Sequence, residues 1–250
     1  GLVDELLPLE AAVDASDLVV LAIPVNAIPL QAVKILNRVD RQVVMDMGST
    51  KEELCEVISQ HARRGRFVAT HPMWGTEYSG PEAAVRGAFT GRSVVICQGD
   101  RSDPDALAQV EEIYSRIGMP ILRMEPEEHD LHAAYVSHIS QITSYALALT
   151  VLEKQQRLER KNLLTVLEKE REEEAIFALA GGGFESTVRL AKSSGEMWIP
   201  ILLKNKYNVL DVLREHIHQL QIMRHMIERD DAEGLQSAIR KANSIRRIIH

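Results

Sequence analysis

Short segments that consist mainly of apolar and β-branched residues recur through the first half of the chain. They lie at residues 18–23, 42–46, 66–70, 92–97 and 121–124. Such segments are typical of strands in a parallel sheet that is buried on both faces. Stretches with helical spacing lie between them, at residues 28–37, 51–63 and 105–117. This alternation of strands and helices predicts an α/β domain with a largely parallel sheet.

The second half of the chain carries no strand signal beyond about residue 127. Apolar residues at helical spacing, or helix-forming compositions, occupy residues 130–154, 168–180, 186–191, 199–228 and 232–249. We therefore expect an α/β domain over residues 1–126 and an all-helical domain over residues 127–250. Since no strand-rich segment follows residue 130, we expect no separate regulatory domain of mixed α/β type.

Composition and charge narrow the class of protein. The chain has 250 residues, of which 45% are hydrophobic and 26% charged, with a formal net charge of −7. The negative charge disfavours nucleic-acid and anionic-membrane partners. The longest apolar run is far shorter than the roughly 20 residues of a membrane-spanning helix, and the first ten residues lack the basic segment of a secretion signal. With only two cysteines, Cys55 and Cys97, a cytoplasmic location is expected.

Three polar or turn-rich clusters directly follow predicted strands. They begin at Pro24, at Asp46 and at His71. In open α/β sheets, ligands bind at the carboxyl ends of the strands. A histidine at this position suits acid/base chemistry near neutral pH, although a structural histidine is an equally available interpretation. Gly48 and Ser49 could contact a ligand or could only cap the following helix.

The helical half carries further candidate residues. Three consecutive glycines, Gly181–Gly183, either end a helix or allow a ligand to approach the backbone. Arg189 and Lys192 are i,i+3 neighbours that could bind a carboxylate, although solvation at the surface would explain them equally well.

Taken in order, these motifs resemble those of prephenate and arogenate dehydrogenases of tyrosine biosynthesis. The matching elements are His-Pro-Met-x-Gly-Thr-Glu at 71–77, Val-Ser-His at 136–138, Gly-Gly-Gly-Phe at 181–184, Thr-x-Arg-x-Ala-Lys-Ser at 187–193 and Met-Trp at 197–198. Each element is weak alone, but the ordered set is specific and runs through almost the whole chain. The resemblance implies a Rossmann-like nucleotide-binding domain followed by a helical domain for substrate binding and dimerisation.

The resemblance also implies an oxidative decarboxylation. Hydride leaves the ring carbon that bears the hydroxyl and passes to NAD or NADP, carbon dioxide departs, and the ring becomes aromatic. By similarity, His71 and Ser49 are the catalytic residues, with His71 accepting the proton of the hydroxyl. The substrate, prephenate or arogenate, would be bound by Arg189, Gly182, His138, Gln141 and Glu77, and the cofactor by Pro24, Val25, Ser49 and Met73.

Three features depart from the family pattern. No Gly-x-Gly-x-x-Gly motif for the pyrophosphate occurs, so the Rossmann-like domain is expected to be incomplete at its N-terminus. Gln141 stands where many prephenate-specific relatives carry a second histidine, which leaves prephenate and arogenate both open. Residues 150–154, Thr-Val-Leu-Glu-Lys, recur at 165–169, and such a repeat predicts a lengthened charged helix or, alternatively, a disordered or swapped segment.

The remaining histidines receive structural interpretations. His129 and His132 are i,i+3 on a predicted helix, but no Cys or carboxylate cluster completes a metal site, so no metal is expected.

The long apolar helices predict a homodimer. The sequence therefore predicts a homodimeric, NAD(P)-dependent prephenate dehydrogenase. The alternatives are arogenate dehydrogenase, another dehydrogenase of the hydroxyacid group, and a catalytically silent fragment that binds substrate and dimerises but does not bind cofactor.

Overall fold

The computed structural model describes residues 3–76, 78, 80–160 and 179–247. Its first half is built on a five-stranded sheet in the order β1-β2-β3-β4-β5. All neighbouring strands are parallel except β3 and β4, which are antiparallel. The strands are β1 (Leu18–Leu21), β2 (Val43–Asp46), β3 (Phe67–Pro72), β4 (Val94–Cys97) and β5 (Ile121–Met124).

Helices cover both faces of this sheet. They are α1 (Leu9–Asp14), α2 (Ile28–Leu36), α3 (Glu52–Ile58) and α4 (Pro104–Arg116). Successive strand residues point to opposite faces, so Val44 packs with α2 and α3 in one core while its neighbours Val43 and Met45 pack with α4 in the other. β2 and β4 are buried at every position, which explains their largely apolar sequences.

The second half is helical throughout the residues described. Its helices are α5 (Pro126–Ala133), α6 (Ile139–Arg160), α7 (Gly182–Val188), α8 (Gly195–Lys204), α9 (Lys206–Glu228) and α10 (Ala232–Ala242). A single π-helical segment, Ala134–His138, joins α5 to α6. Ile201 of α8 is buried in the core shared by α2 and α3, and Met197 and Trp198 pack against it. These contacts place α8 over the sheet.

The architecture confirms the predicted order of an α/β domain and a helical domain, and all five predicted strands are present. One predicted helix, 199–228, is wrong as a single element. Asn205 interrupts it because its backbone leaves the helical conformation, at φ −98° and ψ 30°. The domain limits of 1–126 and 127–250 stay a prediction, and the second copy of the repeat, at 165–169, lies outside the described residues.

Both cysteines are free and buried. Burial raises the pKa of the Cys55 thiol to about 11 and raises that of Cys97 further still, so neither thiol is a nucleophile at neutral pH. Within the described part of the chain, no helix is long and apolar enough to cross a membrane.

Candidate active site

A buried ion pair fixes the turn that follows β2. The carboxylate of Asp46 pairs with the ammonium of Lys51, and neither side chain is exposed to solvent. The same carboxylate accepts hydrogen bonds from the backbone N–H of Gly48 at 2.8 Å and of Thr70, on β3, at 3.0 Å. A paired and hydrogen-bonded charge can be held in the interior. The turn that carries Ser49 is therefore tied to both β2 and β3.

Gly48 allows this turn to lie close to α2. A Cβ atom at Gly48 would lie 2.7 Å from Cδ1 of Ile28 and 3.0 Å from Oδ2 of Asp46. Real Cβ atoms are not found at the first of these distances. The glycine is needed for packing at this position and not only for ending the strand.

A cavity of about 380 Å³ opens at the carboxyl ends of β1 and β2. The sequence-predicted residues Pro24, Val25 and Ser49 line it together, and Glu196 and Met197 of α8 close its far side. Both halves of the chain therefore contribute to one pocket at the sheet edge where ligands bind in open α/β folds.

His71 lies near the end of β3 and is partly buried. Its Nδ1 atom is 2.8 Å from Nε2 of His129 on α5, and Nδ1 of His129 is 2.7 Å from Oδ1 of Asp130. His129 and Asp130 are each about 2% exposed. His71 does not line the cavity described above, but it reaches the same sheet edge and is coupled to a buried pair from the helical half.

Burial holds the imidazole of His71 in its neutral form. Loss of solvation sets its pKa well below the usual range, and the neighbouring His129, Lys51 and His138 act in the same direction. A neutral imidazole carries one nitrogen with a free lone pair, which is the form that a general base requires.

The predicted residues of the helical half lie in different environments. His138 and Gln141 are buried. His138 stacks edge-on against Trp198 with ring centroids 6.0 Å apart, and Gln141 donates to the carbonyl of Leu190 at 2.6 Å while its Oε1 has no partner. Burial lowers the pKa of His138 to about 4, against the effect of Asp130.

The remaining predicted residues are not gathered in the cavity of the single chain. Gly182 and Arg189 are exposed, and Met73 packs against the core of the first domain. Glu77 lies outside the described residues. The structure brings together the predicted residues of β1 and β2, whereas those of the helical half are distributed around them.

Four side chains of this region escaped the sequence analysis, namely Lys51, His129, Asp130 and Asn205. The sequence analysis considered His129 only as a possible metal ligand beside His132, and so it missed the contact between His129 and His71. His132 is exposed, and the described part of the chain contains no group of three or more potential metal ligands. No spacing within the sequence could have revealed contacts between β3, α3, α5 and the start of α9.

Family models account for most of the chain. Residues 1–122 match the model "Prephenate dehydrogenase, nucleotide-binding domain", and residues 161–241 match "Prephenate dehydrogenase, dimerization domain". The chain belongs to the prephenate dehydrogenase family. As a family member it has a nucleotide-binding domain of the Rossmann type and a dimerisation domain.

Relatives agree with this assignment. The chain is 30% identical over 205 residues to prephenate dehydrogenase of Bacillus subtilis, a match that covers 82% of this chain but 51% of the relative. It is 26% identical to cyclohexadienyl dehydrogenase of Zymomonas mobilis, over 95% of this chain and 77% of that enzyme. This member of the family therefore spans about half the length of the first of these relatives.

A solved structure shares the fold. Prephenate dehydrogenase from Aquifex aeolicus, in complex with hydroxyphenyl propionate and NAD+, is 28% identical and has a TM-score of 0.79. The match covers 96% of this chain and 79% of that one. The fold of this chain is therefore similar to that of the Aquifex structure over almost its whole length.

The residues present fit part of a dinucleotide. Apolar Pro24, Val25 and Met197 line the cavity together with polar Ser49 and Glu196, a combination that small-molecule and cofactor sites share. Gly48 lines the same space. The 250 residues contain no Gly-x-Gly-x-x-Gly loop for a pyrophosphate, so the fit concerns the nicotinamide end of the cofactor.

Proposed function

We propose that this protein is an NAD(P)-dependent prephenate dehydrogenase, which converts prephenate to 4-hydroxyphenylpyruvate and carbon dioxide. The observation that carries the proposal is a neutral, partly buried histidine at the carboxyl edge of the sheet, in a chain of this family. The turn with Gly48 and Ser49 comes from the neighbouring strand of that edge.

His71 is proposed as the general base. As the hydroxyl-bearing carbon of the substrate becomes a carbonyl, the hydroxyl proton passes to His71, which is available because burial keeps its imidazole unprotonated. Ser49 is proposed to orient the same hydroxyl, since its turn is fixed by the buried pair of Asp46 and Lys51.

The cofactor is proposed to lie against Pro24, Val25, Ser49 and Met73. When bound, NAD or NADP supplies the nicotinamide ring that accepts the hydride. The contribution of the chain is to hold the substrate ring in reach and to keep water away, which the packing of α8 over the sheet favours.

The substrate side chain is proposed to be bound by Arg189, Gly182, His138, Gln141 and Glu77. Arg189 offers a guanidinium that can bind a carboxylate through two hydrogen bonds. Arg189 and Gly182 are exposed in the single chain, which agrees with a pocket that is completed only when the protein dimerises.

A homodimer is the proposed assembly. Tyr207, Leu210, Ile217, Leu220 and Ile227 of α9 are all exposed. Their spacing of three and seven residues places them on one face of the helix. A single-sided apolar stripe of this length is typical of a helix that packs against a partner, and it lies in the part of the chain that matches the dimerization-domain model.

Arogenate is the second candidate substrate. The side chain of Gln141 is neutral, and its Oε1 has no partner in the described structure. A neutral amide cannot provide the positive charge that a histidine could offer to the second carboxylate of prephenate. An amide also accepts a hydrogen bond, as an amino group would require.

The test is the formation of reduced nicotinamide by the purified 250-residue chain, with prephenate or arogenate and NAD or NADP in turn. Turnover with prephenate is the expected result, and the His71→Asn variant serves as the background control. Turnover with arogenate alone would assign the second substrate. No turnover in any combination would contradict the proposal for this chain and support the silent, substrate-binding alternative.

A further inference from the structure

Two groups behind the proposed base, His129 and Asp130, continue a chain of hydrogen bonds from the sheet into the helical half. We propose that Asp130 and His129 are positioning residues that fix His71 as the tautomer with a proton on Nδ1 and a free lone pair on Nε2. This inference rests on the proposed role of His71 as the base. It concerns residues that the sequence motifs did not identify.

The chain starts at Asp130, whose carboxylate has only acceptor positions to offer. Its Oδ1 accepts the backbone N–H of Lys51 at 2.8 Å, and its Oδ2 accepts that of Glu52 at 3.0 Å. These are the first N–H groups of α3, where the helix dipole stabilises a negative charge. Two backbone donors of α3 therefore hold the Asp130 side chain in place, with one hydrogen bond to each of its oxygens.

The second step is at His129. Oδ1 of Asp130 lies 2.7 Å from Nδ1 of His129, and a carboxylate can only accept, so when the imidazole carries a single proton, that proton is on Nδ1. The opposite nitrogen, Nε2, is then a bare acceptor. The side chain of His129 is only 2% exposed, so bulk water does not compete for the hydrogen bonds of its ring nitrogens.

The third step is at His71. Nε2 of His129 lies 2.8 Å from Nδ1 of His71, and the two rings meet nearly edge to face at 70°. An acceptor at that distance requires a donor, so Nδ1 of His71 carries the proton. The remaining nitrogen, Nε2, keeps its lone pair and is the atom that can take a proton from a substrate hydroxyl.

The arrangement also accommodates the charge that catalysis produces. When the substrate O–H bond breaks and the proton binds Nε2 of His71, the proton on Nδ1 can pass to Nε2 of His129. The positive charge then lies on His129, against the carboxylate of Asp130, which itself stays unprotonated. The order of groups is that of a serine protease triad, with a second histidine inserted between base and carboxylate.

Other charged groups around His71 do not supply this function. Lys51 and His138 are the remaining titratable groups that act on it. The ammonium of Lys51 pairs with the carboxylate of Asp46 and not with His71. His138 faces Asn205, whose Nδ2 atom is 3.2 Å from its Nδ1. The contact from His129 is the one described hydrogen bond to the imidazole of His71.

The inference is tested directly by two-bond proton–nitrogen NMR of the histidine side chains, which distinguishes the two neutral tautomers. The protein has nine histidines, so the signals of His71 are assigned by their loss in the His71→Asn variant. We expect protonated Nδ1 and bare Nε2 in the unaltered chain at neutral pH. Bare Nδ1 with protonated Nε2 would overturn the inference.

Two variants test whether Asp130 and His129 fix this tautomer. Asp130→Ala removes the acceptor of the Nδ1–H group of His129, so both tautomers of His129 become available and His71 should become a mixture. His129→Phe keeps a ring and removes the acceptor of His71, with the same expected result. His132→Phe, on the exposed side of the same helix, is the matched control. An unchanged His71 tautomer in folded Asp130→Ala would overturn the inference even where His129→Phe fails to fold.

Kinetics provide an independent measurement. For Asp130→Ala we expect kcat to fall by about 10-fold or more at little change in KM, because the substrate still binds while the carboxylate that orders the two imidazoles and stabilises the charge formed in catalysis is absent. An unchanged kcat would contradict the positioning role. The tautomer measurement needs neither cofactor nor turnover, so failure of the proposed function and failure of this inference are distinguished.

Discussion

Burial decides the behaviour of the histidines at the scale of single residues. His71 and His138 both have lowered pKa values, and loss of solvation is the largest cause in each case. His132, on the exposed side of α5, lacks such surroundings. A motif indicates that a histidine is present, but only the fold determines whether it is neutral.

This burial predicts a loss of stability in mild acid. The unfolded chain protonates its histidines near pH 6.5, whereas native His138 resists protonation down to a pKa of about 4. Stability is therefore unaffected above pH 6.5 and falls as the pH drops below it. At pH 5 the contribution of His138 is about 2 kcal/mol. Urea unfolding at pH 5 and at a pH above 6.5 measures this contribution. Between these two conditions, His138→Gln should lose less stability than the unaltered chain. An equal loss in His138→Gln would contradict the assignment, and His132→Gln serves as control.

Replacement of His71 tests the proposed base. His71→Asn should lower kcat by about 10²-fold to 10⁴-fold, since it removes general-base catalysis while leaving binding contacts in place. Steady-state kinetics with a saturating cofactor measures the change. The exposed His132→Asn should have the kcat of the unaltered chain, and an unchanged kcat in His71→Asn would show that another group takes the proton.

The sequence identified only some of the residues of the candidate site, and the reason is physical. His71 could be identified because a strand, a proline and a motif surround it in the chain. His129 could not, since its importance comes from contacts with β3 and with a carboxylate that caps α3. Sequence separation of 58 residues between the two imidazoles leaves no local pattern to detect.

At the scale of elements, the strands were predictable and the ends of helices were not. Short, mainly apolar segments at regular intervals predicted all five strands, and the signature is strongest for β2 and β4, which are buried at every position. The break between α8 and α9 has no such signature. It depends on Asn205, which donates to the backbone carbonyl of Asp130 at 2.6 Å, and helix-forming residues stand on both sides of it.

Substitution of Asn205 should therefore destabilise the protein. Asn205→Ala removes the side-chain donor of the Asp130 carbonyl, which keeps its backbone donor at Ala134, so the cost is that of one hydrogen bond, about 1 kcal/mol. Urea unfolding measures the change. Asn243→Ala, at an exposed position, should lie within about 0.5 kcal/mol of the unaltered chain. Equal stability of the two variants would contradict the role of Asn205.

The turn after β2 offers a second test at this scale. Gly48→Ala places a Cβ against Ile28 at 2.7 Å, so overpacking should cost about 1–3 kcal/mol and displace Ser49. Gly75→Ala is the matched control, since a Cβ there meets nothing within 4 Å. Thermal unfolding compares the two variants, and a Gly48→Ala protein as stable as Gly75→Ala would show that the turn adapts freely.

At the scale of the whole molecule, the apolar stripe on α9 predicts a dimer. Light scattering at micromolar concentration should give twice the mass of one chain. Leu220→Asp places a charge in the stripe and should shift the protein towards the monomer. Leu122→Asp, at an exposed apolar position of β5 outside the stripe, is the matched control and should leave the dimer intact. A monomeric unaltered chain would contradict the proposed assembly.

The reaction itself is tested most directly by measuring reduced nicotinamide and carbon dioxide in the same incubation with prephenate. Oxidative decarboxylation predicts that the two products appear in equal amounts, and that both disappear in His71→Asn. Reduced nicotinamide without carbon dioxide would instead indicate a simple hydroxyacid dehydrogenase. Neither product would contradict the proposed activity of this chain.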